Sequence, residues 1–227
     1  MSKPVILYSY RRGTNPWKVA MALEELMVPY VTKFLDKPEM KQEPFEKINP
    51  NGRAPAIVDP NTGITIWESV AIIEYLVETY DRDHIFTYTT SPEKWELKQW
   101  LYYQMSGQGP YFGQASWFIL YHEEKLQSAI DRYLREIRRV VGVLDRYLQD
   151  REYLVGDKFT IADLSFITWN MLVPWLFSRG ASKQTLDIEK EFPAYNAWQQ
   201  RMMARPAVIK VVNDRKAAMA EAGMVPN

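Results

Sequence analysis

The stretch "INPNGRAPAIVDPNTGITIWESVAIIEYL", residues 48–76, contains the features that decide the fold. A polar turn is followed by Pro55 and a short apolar run, and the turn "PNTG" separates this run from a second one, "ITIW". Two β-rich runs on either side of a short turn predict a β-hairpin. From Glu68 onward the apolar residues recur at helical spacing, which predicts that a helix follows the hairpin directly.

Pro55 occupies an unusual position at the start of a strand, because proline has no backbone N–H to donate to a sheet. One explanation is that Pro55 opens an edge strand, where proline is tolerated. The other is that the Ala54–Pro55 bond is cis, a rare geometry that is usually found in a tight turn. A cis bond would leave the backbone of Ala54 pointing outward, free to pair with a molecule other than the protein.

The residues before this stretch predict the first half of a small α/β domain. "PVILY" (4–8) is typical of a buried strand, and the following "SYRRGTNP" is typical of a loop. We expect Asn15 to be the N-cap of the next helix, with Pro16 at its first position, and "YVTKFLD" (30–36) to form a second strand. Residues 1–80 therefore predict a thioredoxin-like α/β domain with a mixed four-stranded sheet.

The rest of the chain predicts an all-α domain. Residues 81–92 are rich in turn formers and are interpreted as a linker, and residues 93–227 have helical patterns throughout. The longest predicted helix, 124–149, has a continuous apolar stripe at positions 126, 130, 134, 137, 141, 144 and 148. Thr160 and Asp163 have the spacing of a capping box, which starts a buried helix and does no chemistry.

Composition excludes several classes of function. The 28 basic and 28 acidic residues balance, so no strong attraction to nucleic acid or to an anionic membrane is expected. The chain has no cysteine and two distant histidines, His84 and His122, which argues against a metal site and against a cysteine or Ser–His nucleophile. Met1 leads into "KPVILYSY" without a long apolar segment, so we expect a cytoplasmic protein without a signal peptide or a membrane span.

Three polar segments are expected to converge at one edge of the predicted sheet: "RRGTN" at 11–15, "RAP" at 53–55, and Glu68 with Ser69. A helix N-terminus favours an anion, so the amides and hydroxyl at Ser69 suit a carboxylate, and Glu68 suits an ammonium group. Together they would recognise an amino-acid-like head group, with the Ala54 backbone pairing to a peptide unit as an added strand does. The alternative is that Glu68 and Ser69 merely cap a helix.

Several motifs of the sequence resemble those of a known family. The whole stretch 48–76 resembles the glutathione-binding core of the cytosolic glutathione transferases, and "YLVGDKFTIADLSF" (153–166) resembles the capping-box segment of their helical domain. "NPWKVAMALEEL", "QMSGQGPYFGQ" and "RMMARPAVIKV" are similar to the fungal branch related to the yeast nitrogen-regulator prion protein. The likeness extends from about residue 4 to about residue 215, and its motifs occur in the family's order.

The resemblance implies a glutathione site in the first domain. Pro55 would be the cis-proline of the family, and the Ala54 backbone would pair with the cysteinyl part of glutathione. Glu68 and Ser69 would hold its γ-glutamyl end, and Arg53 would lie beside the tripeptide.

One binding position departs from the family pattern. Relatives often place His or Gln near the glycyl end of glutathione, whereas Met40 stands there in this chain, next to Lys41. The Lys41 side chain could reach the glycyl carboxylate in place of the usual contact.

The reactive group would be the thiol of the ligand, which the protein must stabilise as a thiolate. A free thiol has a pKa near 8.5 and is therefore mostly protonated at neutral pH. The resemblance points to Asn15 as the donor to this sulfur, while Thr14 and Ser9 are nearby hydroxyls that could take the role. Tyr8 resembles the tyrosine of other transferase classes, and its alternative role is to pack in the core.

The resemblance implies a homodimeric glutathione transferase that uses glutathione as co-substrate and needs no metal. It would attack an electrophilic small molecule or act in glutathione-dependent reduction of a disulfide or peroxide, with residues 93–227 forming most of the second-substrate pocket. Within that domain, "SGQGPYFGQASWF" (106–118) breaks the helical pattern, either to line an apolar pocket or as a kink in a packed helix.

The alternative is a glutathione-binding regulatory protein without turnover, like the nitrogen regulator. That regulator would have an extra N-terminal arm, and here Met1 is followed almost directly by the first strand, which favours the enzyme. A translation-factor or chaperone-type domain of the same fold is less well supported, since such a domain need not keep the site residues.

Overall fold

The computed structural model describes residues 2–180 and 185–224. The chain divides into two compact units. Of the described residues, the first unit contains 2–87 together with 204–224, and the second contains those within 88–203. The boundary at residues 87 and 88 lies inside the predicted linker.

The first unit is built on a mixed sheet of four strands in the order β2-β1-β3-β4. The strands are β1 (Val5–Ser9), β2 (Tyr30–Phe34), β3 (Ala56–Asp59) and β4 (Ile64–Trp67). β1 pairs with β2 in parallel and with β3 in antiparallel orientation, and β3 and β4 form the antiparallel hairpin. The predicted thioredoxin-like order and the mixed four-stranded sheet are confirmed.

Two α-helices and one 3₁₀ turn lie between these strands, and a third α-helix follows β4. They are α1 (Thr14–Glu25), a 3₁₀ turn (Glu39–Lys41), α2 (Phe45–Ile48) and α3 (Ser69–Tyr80). α1 packs against α3 and β1, and the short α2 is an element that the sequence patterns did not predict.

The predicted start of α1 is wrong by two residues. The N-cap is Gly13, whose backbone is extended, and Thr14 is already helical, so Asn15 is the second residue of the helix. The reason is that a proline is accepted anywhere in the first turn, where the N–H groups have no helical partner. Pro16 therefore did not mark the first helical position.

The structure decides between the two explanations of Pro55. β3 lies between β1 and β4, so the strand that Pro55 precedes is not an edge strand. The Ala54–Pro55 bond is cis, as the second explanation requires.

The second unit contains seven α-helices within its described residues. They are α4 (Glu93–Tyr103), α5 (Gly109–Leu120), α6 (Gln127–Tyr147), α7 (Ile161–Asn170), α8 (Val173–Arg179), α9 (Ile188–Glu191) and α10 (Pro193–Met203). α6 is the predicted long helix, but it begins after its N-cap Leu126, which is 38% exposed. The remaining members of the apolar stripe, from Ile130 to Leu148, are buried.

The capping box at the start of α7 is confirmed. The Thr160 side chain accepts a hydrogen bond from the Ala162 amide at 3.2 Å, and the Asp163 carboxylate accepts one from the Thr160 amide at 3.0 Å. Asp163 is fully buried and also accepts bonds from the Leu154 amide and the Trp198 indole, each at 2.9 Å. This carboxylate therefore organises the core of the second unit.

The predicted break between α4 and α5 is a π-helical turn, Gln104–Gln108. Gln104 donates to Gln108, and Gln108 donates to Asn170 at 2.7 Å, so the turn is fixed by buried polar contacts. Phe112 is buried and its ring lies 6.4 Å from that of Trp169, as a packed kink requires. π-helical turns interrupt α-helices in this way without ending them.

The last helix, α11 (Pro206–Glu221), belongs to the first unit and not to the helical one. It packs against α1, where Arg205 forms a bidentate ion pair with Glu25 at 2.6 and 2.9 Å. Lys210 lies 2.7 Å from Glu24. The predicted span 93–227 therefore overestimates the helical domain at its C-terminal end. Among the described residues, no helix combines the length and apolar character that a membrane crossing requires.

Candidate functional site

The sheet register brings the three predicted segments to one edge. Tyr8 of β1 is paired with Ala56 of β3, and Ala56 is paired with Trp67 of β4. The end of β1, the start of β3 and the end of β4 therefore lie side by side. The loop before α1 comes directly after β1, the cis bond comes directly before β3, and α3 starts directly after β4, so all three lie at this edge.

The start of α3 has an N-cap with an unusual backbone. Glu68 has a φ of 73°, in the left-handed region that favours glycine. A residue other than glycine in such a conformation costs on the order of 1–3 kcal/mol, and such residues cluster at ligand sites. Its side chain makes no capping hydrogen bond to another described residue, and the first turn of α3 has no acidic residue. The amides at this helix start remain available to an anion.

Ser69, the first residue of α3, contacts a buried lysine that the sequence analysis missed. The Lys18 ammonium donates to the Ser69 hydroxyl at 3.2 Å. Lys18 is 1% exposed, and this burial lowers its pKa to about 7, against the opposing effect of the Glu68 charge. A signal was present in the sequence: Lys18 lies in "PWKVAMAL", where apolar residues cover every face of the helix, so its side chain had to be buried.

The backbone of Ala54 is held in place by its neighbours and is itself unpaired. No hydrogen bond to another described residue involves the Ala54 backbone. Just before it, the buried Asn49 donates from its amide group to the Arg53 carbonyl at 2.5 Å. The Arg53 side chain is exposed. An unpaired, fixed main-chain segment next to a sheet can pair with a peptide-like ligand.

Lys41 lies against the turn that precedes Ala54. Its ammonium donates to the Asn51 carbonyl at 3.0 Å, and its side chain is otherwise exposed. Gly52 has a φ of 59°, and a Cβ placed there would meet the Met40 carbonyl at 2.6 Å. Met40 itself is buried in a small core cluster, so it is a packing residue.

The N-cap residue of α1 is a glycine and has no side chain that could cap the helix. Gly13 makes no side-chain cap, and the first turn has no acidic residue. Thr14 is 8% exposed and Asn15 is half-buried. The first turn of α1 therefore brings no negative charge of its own to these amides, which suits a developing negative charge.

The two remaining candidates, Ser9 and Tyr8, lie at the end of β1. Ser9 is 1% exposed. The Tyr8 ring packs 5.5 Å from the Phe45 ring and belongs to the cluster around Met40, as its core interpretation predicts.

The loop between β1 and α1 carries a fixed positive charge. The Arg11 guanidinium lies 4.5 Å from the centre of the Phe34 ring, and the Trp17 indole donates to the Arg11 carbonyl at 2.9 Å.

Within the described residues, no group of three or more His, Asp or Glu side chains is placed to hold a metal ion.

Comparison with known proteins identifies the family of this chain. The family model for the glutathione S-transferase N-terminal domain matches residues 3–78, and the model for the C-terminal domain matches residues 105–206. The chain belongs to the glutathione S-transferase family. Glutathione S-transferase 2 of Schizosaccharomyces pombe is 49% identical over 211 residues, which cover 89% of this chain and 92% of that protein.

Solved structures of the family include close neighbours of this fold. Glutathione transferase URE2P8 of Phanerochaete chrysosporium, solved with oxidized glutathione, has a TM-score of 0.90 and 41% identity over 97% of this chain and 98% of its own. Ure2p5 of the same organism, cocrystallized with 1-(S-glutathionyl)-2,4-dinitrobenzene, has a TM-score of 0.88 and 40% identity over 97% and 98%. The predicted fold, the family of enzymes and its fungal Ure2-type branch are confirmed.

Proposed function

We propose that this transferase-family chain binds glutathione along the sheet edge and activates its thiol. The activated thiol attacks an electrophilic small molecule, or it acts in reduction of a disulfide or a peroxide. The single observation that carries the proposal is the convergence at one edge of three features: two helix starts whose N-cap residues make no side-chain cap to a described residue, and an Ala54 backbone without a hydrogen bond to another described residue.

The γ-glutamyl end of glutathione is assigned to the start of α3. Its α-carboxylate accepts hydrogen bonds from the Ser69 hydroxyl and the first amides of the helix, where the helix dipole also favours an anion. Its ammonium group pairs with the Glu68 carboxylate, which is exposed and has no capping partner among the described residues. Both charges of the zwitterionic head are then matched.

The rest of the tripeptide follows the chain toward β1. The Ala54 backbone pairs with the cysteinyl unit, in the manner of an added strand. Arg53 and Lys41 are both exposed cations near this turn, and their charges suit the glycyl carboxylate. Each exposed pair contributes modestly, about 0–1 kcal/mol, so we expect these contacts to refine affinity and not to dominate it.

The cysteinyl sulfur is assigned to the start of α1. Lowering the thiol pKa by one unit requires about 1.4 kcal/mol of preferential stabilisation of the thiolate. One hydrogen bond to a charged acceptor supplies about 1.5–3 kcal/mol, so a single well-placed donor is sufficient. We assign this donor to the Asn15 side-chain amide, with the Thr14 hydroxyl as the alternative.

Two relatives support the two types of second substrate. The Ure2p5 complex contains a glutathione conjugate of an aryl group, the product of attack on an electrophile. The URE2P8 complex contains oxidized glutathione, a disulfide. For this chain both reactions need the same thiolate, and they differ only in the atom that it attacks. That the helical unit supplies most of the second-substrate pocket stays a prediction.

We also propose that the protein is a homodimer in the cytoplasm. The outer strand β4 exposes two apolar side chains, Ile64 and Trp67, at 42% and 36%, and their burial against a second copy would favour association. Light scattering coupled to size exclusion tests this, with a mass twice that of the chain as the expected result.

Retention on immobilised glutathione, followed by turnover of an aryl halide and of a mixed disulfide, tests the proposed activity. Retention with turnover of at least one substrate is expected. Retention without turnover of either would favour the non-catalytic, glutathione-binding alternative, and a failure to be retained would contradict the site itself.

A further inference from the structure

We propose that Lys18 is a positioning residue for glutathione, directing the Ser69 hydroxyl at the bound γ-glutamyl carboxylate and taking up a proton when the ligand binds. This inference rests on the proposed glutathione site and adds a residue that lies behind it. Lys18 does not touch the ligand, since it is 1% exposed, and it acts through Ser69.

The direction of the hydrogen bond carries the first part of the inference. In its protonated form Lys18 is an ammonium group that only donates, so in that form the Ser69 oxygen is the acceptor of the 3.2 Å contact. A hydroxyl has a single hydrogen, and with its oxygen accepting from Lys18 that hydrogen is free to be donated elsewhere. Ser69 is the first residue of α3, so its hydroxyl lies beside the amides that attract an anion. Lys18 thus presets Ser69 as a donor to a carboxylate.

The second part of the inference, proton uptake on binding, depends on the charge of Lys18. Burial disfavours the ammonium form, and for this reason the pKa of Lys18 is lowered to about 7, so the free protein holds this proton only partly near neutral pH. A carboxylate bound at Ser69 brings a second negative charge close to Lys18, in addition to Glu68. An added opposite charge raises the pKa of a buried lysine, so binding is coupled to proton uptake.

Titratable side chains lie on each of the elements that pack against α1. α1 packs against α3, α11 and β1, and Glu68 at the start of α3 is the carboxylate whose charge acts on Lys18. On α11, Lys210 and Arg205 pair with Glu24 and Glu25, at the opposite end of α1. The other titratable side chains of these elements are Tyr8 on β1, Glu74, Tyr75, Glu78 and Tyr80 on α3, and Asp214, Arg215, Lys216 and Glu221 on α11.

Calorimetric titration with S-methylglutathione tests the inference, because this ligand has the γ-glutamyl head but no ionisable thiol. Between pH 6 and pH 8 the ligand amino group stays protonated. A free-protein pKa of about 7 that rises well above 8 on binding predicts an affinity about tenfold lower at pH 8 than at pH 6. Titration at pH 7.5 in two buffers of different ionisation enthalpy should show uptake of a fraction of a proton by the wild-type protein.

Three variants separate this role from a structural one. In Lys18→Met, the pH dependence of the affinity and the proton uptake should largely disappear. This variant keeps His84 and His122, so pH dependence that came from a histidine would remain. Lys18→Arg has a charge that does not titrate, so its affinity should be nearly the same at pH 6 and pH 8. Lys216→Met removes an exposed lysine from the same unit and should behave like the wild type.

The wild-type measurement is decisive even if a Lys18 variant does not fold. Wild-type binding without proton uptake and with equal affinity at pH 6 and pH 8 would overturn the role of Lys18 while leaving the glutathione site intact. Equal pH dependence in the wild type and in a folded Lys18→Met would also overturn it. Absence of S-methylglutathione binding at every pH would overturn the proposed function, and this inference with it.

Discussion

Replacing Lys18 by methionine should stabilise the folded protein, by an amount that depends on pH in a predictable way. Methionine has a similar length and no charge, so the variant keeps most of the packing and loses the buried ammonium. The pKa of Lys18 is lowered from 10.5 to about 7, a shift equivalent to about 5 kcal/mol at about 1.4 kcal/mol per pH unit. This is an upper limit, since the lost contact with Ser69 offsets part of it.

The pH dependence of this stabilisation follows from the difference in bound protons between the folded and the unfolded states. Below pH 7 both the folded and the unfolded states are protonated, and the folded wild type carries the full penalty of the buried charge. Between pH 7 and 10.5 the unfolded state binds more protons, so the wild type gains stability as the pH rises. The advantage of Lys18→Met should therefore shrink by about 2 kcal/mol between pH 7 and pH 9.

Urea unfolding of both proteins at pH 7, 8 and 9 measures this directly, because all other titrating groups are common to the pair and cancel in the difference. Lys216→Met serves as the matched control and should show no such trend, since its side chain is exposed. A difference between wild type and Lys18→Met that stays constant from pH 7 to pH 9 would refute the assignment of a buried, titrating lysine.

Three further substitutions test the site and its support. Asn15→Ala should lower kcat by about 10- to 100-fold with little loss of glutathione affinity, as expected for one hydrogen bond to a thiolate; an unchanged kcat would move the role to Thr14 or to the helix start itself. Gly52→Ala should weaken glutathione binding several-fold in a titration, because its φ of 59° and the Met40 carbonyl at 2.6 Å leave no room for a Cβ beside the Ala54 segment; wild-type affinity would show that the turn does not support the site. Asp163→Ala should destabilise the protein to urea by about 3 kcal/mol or more, since it leaves several buried donors unpaired; a loss below about 1 kcal/mol would contradict the role given to the capping box.

The features that could be predicted from the sequence are those encoded by neighbouring residues. The hairpin follows from two β-rich runs around "PNTG", and the start of α7 follows from Thr160 and Asp163 three residues apart. The cis bond at Pro55 was one of two options, and the choice needed the position of β3 inside the sheet.

The features that could not be predicted depend on contacts between distant segments. Arg205 and Glu25, which are 180 residues apart, place the last helix on the first unit, and no local pattern near Arg205 indicates its partner. The contact between Lys18 and Ser69 spans 51 residues, so the burial of Lys18 could be read from its apolar neighbours but its partner could not. The pair Asn15–Pro16 predicts a helix start two residues too late, because a proline also fits the later positions of the first turn.

A crystal structure of this protein with glutathione bound is the most direct test of the proposed site. We expect the Ala54 main chain within hydrogen-bond distance of the cysteinyl unit, the γ-glutamyl carboxylate on Ser69 and the α3 amides, and the sulfur at the start of α1. Glutathione bound elsewhere, or a tripeptide that leaves both Ala54 and Ser69 without contact, would contradict the account.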